Sequence, residues 1–188
     1  MTDLYLFGTA ALALLIAPGP TNTLLATVGA LSSVRRAVPH LLATLLAYAL
    51  AIVAYRSVLA PVLSAAPWVS VALKLVVAAY VTWLAIKLWA AAVRVTDRPV
   101  PVRDVFVATL FNPKGLVLAL VLLPADASNL LPHAVVLAAI AATSSLLWIA
   151  LGRLIIAGAG DRGRPWIGRS GSVVLVGFAG LMAASALG

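Results

Sequence analysis

The sequence predicts an all-α integral membrane protein of six transmembrane helices, arranged as two inverted three-helix repeats. Three observations carry that reading. Of 188 residues, 64% are hydrophobic and only 10% are charged, whereas a soluble domain carries about a quarter of its residues as Asp, Glu, Lys and Arg. Apolar runs near the ~20 residues that a membrane span requires recur along the whole chain. Arginines crowd every second connection between those runs and leave the others empty. Because the connections are short, residues 1–188 form a single membrane domain, with repeats covering about 1–95 and 104–188.

The first span runs from about Leu4 to Leu31 and is interrupted by Pro18-Gly19-Pro20. Its leader holds Asp3 and no cation, so it does not read as a cleaved signal peptide. The second span covers Pro39 to Leu63 and the third Trp68 to Val93. The fourth, Val105 to Leu123, is broken at Asn112-Pro113. The fifth runs from Pro132 to Ala157 and the sixth from Gly171 to Leu187. Alanine, leucine and valine dominate throughout, which suits close packing in lipid, where small residues let helix backbones approach.

Orientation follows from the cations. Arg35 and Arg36 occupy the first connection, Arg94, Arg98 and Arg103 the third, and Arg162, Arg164 and Arg169 the fifth. The N-terminus, Ser64–Pro67, Ala125–Leu131 and the C-terminus hold none. The positive-inside rule places the three basic connections in the cytoplasm and both termini outside. The net charge of +8 is therefore topological. It is not gathered with aromatics into one patch of the kind that binds nucleic acid.

Other chemistries find no support in the residues. Cysteine is absent, which removes disulfides and thiol-based metal or redox sites. All five acids are aspartates, Asp3, Asp97, Asp104, Asp126 and Asp161, and no His/Asp cluster has metal-ligand spacing. Ser170-Gly171-Ser172 lacks a histidine partner at membrane depth, so neither a hydrolase nor any other enzyme is indicated.

The two interruptions are the informative features. Proline inside a helix removes a backbone donor and clashes with the carbonyl one turn earlier. In a bilayer such a break survives only where protein or a wet cavity satisfies the freed groups. Paired breaks in corresponding places of two halves point to a transporter's binding site. The halves show other matching landmarks: Pro39-His40 with Pro132-His133, Arg56 with Arg153, and Trp68 with Trp166. Asn112 suits an N-cap and Pro113 a first helical residue, and Gly19 and Pro20 can play the same parts. Each half-helix start presents free N–H groups and a positive dipole end. Pro113 falls ~13 Å into its span at 1.5 Å per residue, close to half of the ~30 Å hydrocarbon core. In an inverted repeat both starts point at one midplane location, a cradle for a carboxylate. Lys114 stands beside one of them, either as partner of that carboxylate or as partner of freed carbonyls of the broken helix.

These residues resemble the LysE/RhtB-type amino-acid exporters of the LysE superfamily. Pro18-Gly19-Pro20 followed by Asn22 is similar to that family's first-span signature, and Asn112-Pro113-Lys114 to its fourth-span signature. Leu73-Lys74-Leu75 with Tyr80, Leu84 and Lys87 is similar to its third-span pattern. The resemblance runs over essentially the whole chain. It implies a cofactor-free secondary exporter of amino acids or similar small zwitterions, an antiporter driven by the proton gradient, in a bacterial inner membrane. The substrate-binding residues are then Pro18, Gly19, Pro20, Thr21, Asn22, Asn112, Pro113 and Lys114, joined by Lys74. Its partners would be the amino acid, the lipid bilayer and, as one option, a second copy in a homodimer.

Departures from the family pattern sharpen the expectation. Many members carry an acid directly after Pro-Gly-Pro, where this chain has Thr21; Val77 and Ala85 replace family glycines. Without a central carboxylate and with several cations, a neutral amino acid is favoured over lysine or arginine. The rival readings are export of a non-amino-acid metabolite or cation, and a non-transporting structural protein in which the prolines only shape the bundle.

The remaining polar residues have plainer expected roles. Arg56 and Arg153 are expected to snorkel and Lys87 to anchor the inner boundary. His40 and His133 are expected to be solvated at the interface, and Asp104 to complement a helix dipole. Thr143, Ser144 and Ser145 are expected to bond neighbouring backbone.

Overall fold

The computed structural model describes residues 4–66, 99–124 and 130–159, with isolated helical positions between 68 and 86 and between 169 and 184. Among the described residues every regular element is helical. The first span appears as two helices, α1 (Leu4–Ile16) and α2 (Pro20–Leu31), bent by 62° at the break. Pro20 is the first residue of α2 and cannot donate to Ile16, one turn back, while Gly19 is extended at φ −175°. The expected interruption is therefore real, and Pro18 lies in the gap between the two helices.

The second span is α3 (Val34–Ala54), which continues through a π-helical turn at Tyr55–Leu59 into α4 (Ala60–Ala65). It begins five residues before the expected Pro39, which sits inside α3. A proline this near a helix start forgoes one hydrogen bond, and the apolar run that follows sustains the helix. The fourth span is α5 (Val102–Leu110) followed by α6 (Pro113–Val117) and a π-helical turn at Leu118–Leu122, bent by 42° at its break. The fifth is one long helix, α7 (Leu130–Ala159), with Pro132 in its first turn, where the missing N–H is not needed.

Among the described residues two unbroken stretches, Arg35–Val58 and Leu130–Gly158, are long and apolar enough to cross a membrane, and each bent pair adds one more if taken as a single span. The expected third and sixth spans fall largely outside the described residues. So do Trp166, Lys87, Asp97, Asp126 and Asp161, and the arginines 94, 98, 162 and 164.

Among the described residues the surface is greasy, and the interior holds a set of polar side chains alongside apolar clusters. Leu42, Leu46, Leu147 and Leu154 are exposed, while Thr21, Asn22, Thr44, Thr109, Asn112 and Lys114 are buried. α1 and α2 pack on α7, and α5 packs on α3. The first bent helix pair thus lies against α7, and the second against α3. At the α2–α7 crossing the backbones touch: a Cβ on Gly29 would lie 1.9 Å from the Ile149 carbonyl oxygen, and one on Gly152 would lie 1.8 Å from that of Ala26. Such an approach excludes every residue but glycine at both positions. Phe7, Leu15, Tyr48, Leu118 and Leu137 form one apolar cluster, and Leu25, Val28, Val105 and Ile149 form another.

Both histidines depart from expectation, being buried rather than solvated. His40 Nε2 lies 2.9 Å from the Val100 carbonyl oxygen, and the His133 ring meets Phe7 edge-on at 4.8 Å. Their positions near helix starts suggested water, but tertiary packing covers both.

Candidate binding site at the paired breaks

The bend at Gly19 leaves the last carbonyls of α1 without the usual partners one turn on, and side chains take that place. Asn22 Nδ2 donates to the carbonyls of Leu15 (2.7 Å) and Ala17 (2.8 Å). Ser144 Oγ donates to Leu15 at 2.9 Å, and Trp148 Nε1 to Ile16 at 3.2 Å. The Lys114 ammonium, reaching across from the other break, donates to the Ala17 carbonyl. These bonds meet the requirement that non-helical backbone at membrane depth be satisfied by protein.

The second break is organised by Asn112. Its Oδ1 accepts the Lys114 backbone N–H at 3.1 Å, capping α6, while its Nδ2 donates to Thr21 Oγ1 at 2.9 Å. Thr21 and Thr109 hydroxyls lie 3.0 Å apart, and Thr109 donates its proton to the Val105 carbonyl at 2.7 Å. Proton counting therefore makes Thr21 the donor to Thr109 and the acceptor from Asn112. One buried hydroxyl thus ties α2, α5 and the cap of α6 together. Beyond the break, Tyr55 OH donates to the Leu110 carbonyl at 3.2 Å.

Electrostatically the centre holds one ammonium and no described carboxylate. Lys114 is 5% exposed, and its head sits at the C-terminal, negative end of α1. Gly19 makes room for it, since a Cβ there would come within 3.1 Å of Lys114 Cε and 3.2 Å of Nζ. A cavity of about 500 Å³ opens beside the network, between α3 and α7, with Tyr48, Leu137, Ala141 and Arg56 in its wall. A cation, neutral hydroxyls and an amide beside an apolar chamber are chemically suited to a carboxylate carried on a small organic body. Among the described residues no group of three or more His, Cys, Asp or Glu could hold a metal ion.

Of the residues singled out in sequence, Thr21, Asn22, Asn112 and Lys114 meet in this network, with Gly19, Pro20 and Pro113 buried at its edge. Lys74 lies outside the described residues. The two half-helix starts are not equivalent donors. Asn112 already caps α6, whereas no side chain caps α2. Arg56, expected to snorkel, donates to the carbonyls of Ala119 (3.3 Å) and Leu123 (3.4 Å) at the end of the broken fourth span. Thr143 and Ser145 bond their own helix, but Ser144 crosses to α1. Asp104 stands in the first turn of α5 as expected, in an exposed pair with Arg103 at 3.5 Å. Sequence reasoning missed Tyr48, Thr109, Tyr55 and Trp148. Each is a hydrogen-bonding side chain in an apolar run, the one local signal that could have raised them.

These features define a helical chain with membrane-compatible spans, two of them broken, and a buried polar centre where the breaks meet. Comparison with protein-family profiles, with curated proteins and with solved structures returns no match for the chain.

Proposed function

We propose that this protein is a six-span secondary exporter of amino acids or similar small zwitterions, and that the substrate carboxylate binds Lys114. The observation that carries the proposal is a buried ammonium held by a backbone carbonyl, with no described carboxylate beside it, at the meeting of two broken spans. An ammonium at membrane depth is costly, ~2.5–3.5 kcal/mol on insertion scales, and such residues are mostly functional. A carboxylate is a stronger partner for it than an amide oxygen. On binding, the substrate draws Lys114 from Ala17 and so loosens the link from the second break to the first. The resemblance to LysE/RhtB-type exporters in Pro18-Gly19-Pro20, Asn22 and Asn112-Pro113-Lys114 supports the same reading. The lack of an acid at Thr21 favours a neutral substrate.

The proposed inverted repeat gains support from a common sequence shift of 93 positions, which carries Pro20 to Pro113, His40 to His133 and Tyr55 to Trp148. Contacts follow the same shift. Tyr55 bonds a carbonyl at the break of the fourth span, and Trp148 bonds one at the break of the first. His133 packs on Phe7, and His40 bonds Val100, the position that corresponds to Phe7.

A specific observation favours a rival reading. Side chains cap the carbonyls of Leu15, Ile16 and Ala17 at the first break, as a purely structural break would require. Flux separates the two. Inverted membrane vesicles under an imposed proton gradient are expected to take up labelled neutral amino acids, and Lys114→Ala to abolish that uptake with the protein still present in the membrane. Gradient-driven flux of lysine alone would refute the neutral-substrate reading. No flux of any amino acid, or flux unchanged by Lys114→Ala, would leave the structural role standing.

A further inference from the structure

Away from the breaks, the corner where α2 turns into α3 faces the last turns of α7 across a second cavity, of about 540 Å³. Two arginines from different helices line it, Arg36 of α3 and Arg153 of α7, with Ser32, Ser33, Leu31 and Ile156 around them. Among the described residues no acid lines the cavity, and neither guanidinium makes a hydrogen bond or ion pair. The contrast with Arg56, which is held by two backbone carbonyls, is direct. Two like charges sharing one recess repel each other and call for an anion. The guanidinium fork is shaped to grip phosphate oxygens.

The walls say what carries that phosphate. Leu31 and Ile156 stand beside the cations in the same recess, and Leu154, next to Arg153 on α7, is 68% exposed. An occupant that satisfies both surfaces joins an acidic head to hydrocarbon. We propose that Arg36 and Arg153 bind the headgroup of an anionic phospholipid, clamping the α2–α3 corner to the end of α7. Basic recesses between membrane helices recognise lipid phosphates in this way. The site is separate from the breaks and does not depend on what, if anything, the protein transports.

The test uses the purified full-length chain in mild detergent, titrated with phosphatidylglycerol, with phosphatidylcholine, or with inorganic phosphate at equal phosphorus. Thermal unfolding and native mass spectrometry serve as readouts. Phosphatidylglycerol is expected to be retained and to raise Tm, and the other two are not. The double variant R36Q/R153Q is expected to weaken that binding at least tenfold, while Arg103→Gln, at a cation that does not line the cavity and is paired with Asp104, leaves it unchanged. Raising the salt concentration should weaken phosphatidylglycerol binding to the unmodified protein, a readout that survives if the double variant fails to fold. Equal stabilisation by phosphatidylcholine, an equal effect of inorganic phosphate, salt-independent retention, or undiminished binding by R36Q/R153Q would each overturn the proposal.

Discussion

Thr21 and Lys114 do different work at the same centre. Thr21 is a neutral junction, giving one proton to Thr109 and receiving one from Asn112. Replacing it by valine keeps the shape and strands the Asn112 amide in a lipid-depth interior. The expected loss is about 1–3 kcal/mol, read as a lower thermal midpoint in detergent, with Thr21→Ser close to the natural protein. A midpoint unchanged in Thr21→Val would mean that water, not Thr21, satisfies the amide. Asn112→Ala removes a helix cap and the donor to Thr21 together, so its loss should exceed the ~1 kcal/mol typical of a cap alone. Lys114 was legible in the sequence as a charge beside a break. Its resting partner, the Ala17 carbonyl, was not, because ninety-seven residues separate them and only the bend of the first span brings them together.

At the scale of helices, the α2–α7 crossing depends on two glycines, and it positions Ser144 and Trp148 over the end of α1. A methyl group at Gly152 meets backbone, which cannot rotate aside as a side chain could. Gly152→Ala should therefore cost about 1–3 kcal/mol and reduce any transport that depends on the break. Gly158→Ala, on the same helix with nothing within 4 Å of an added Cβ, should be neutral and raise helix propensity slightly. Equal thermal midpoints for the two variants would show that the crossing is looser than the structure describes. Sequence reading placed both broken spans to within a few residues, because proline acts locally and irrespective of tertiary context. It passed over Gly29 and Gly152, since a glycine within an apolar run does not reveal which backbone comes to meet it.

A prediction for the whole molecule is the number of times the chain crosses the membrane. Among the described residues there are two unbroken candidate spans and two bent ones, and the alternation of arginines favours six. The natural absence of cysteine makes a direct test simple. Single cysteines at Ser33, Ala66 and Pro99 can be labelled with an impermeant thiol reagent from either side of the membrane. Positions 33 and 99 are expected to react only from the cytoplasm and position 66 only from outside. Labelling of 33 and 99 from opposite faces would sink the six-span topology, and with it the inverted repeat.

Composition, charge placement and proline position are local or additive properties, and they suffice for helices apolar enough to span a membrane, for the helical fold and for the place of each break. A bilayer imposes its length and its hydrogen-bond demand on every segment separately, so these consequences can be read one segment at a time. Which groups answer the freed carbonyls is a different kind of question. Asn22 could be guessed, being close in sequence, but Ser144, Trp148 and Lys114 reach α1 from the other half of the chain. Burial of His40 and His133 and the pairing of Gly29 with Gly152 belong to the same kind. They depend on how helices far apart in sequence cross, and packing settles that crossing only once all the helices are together.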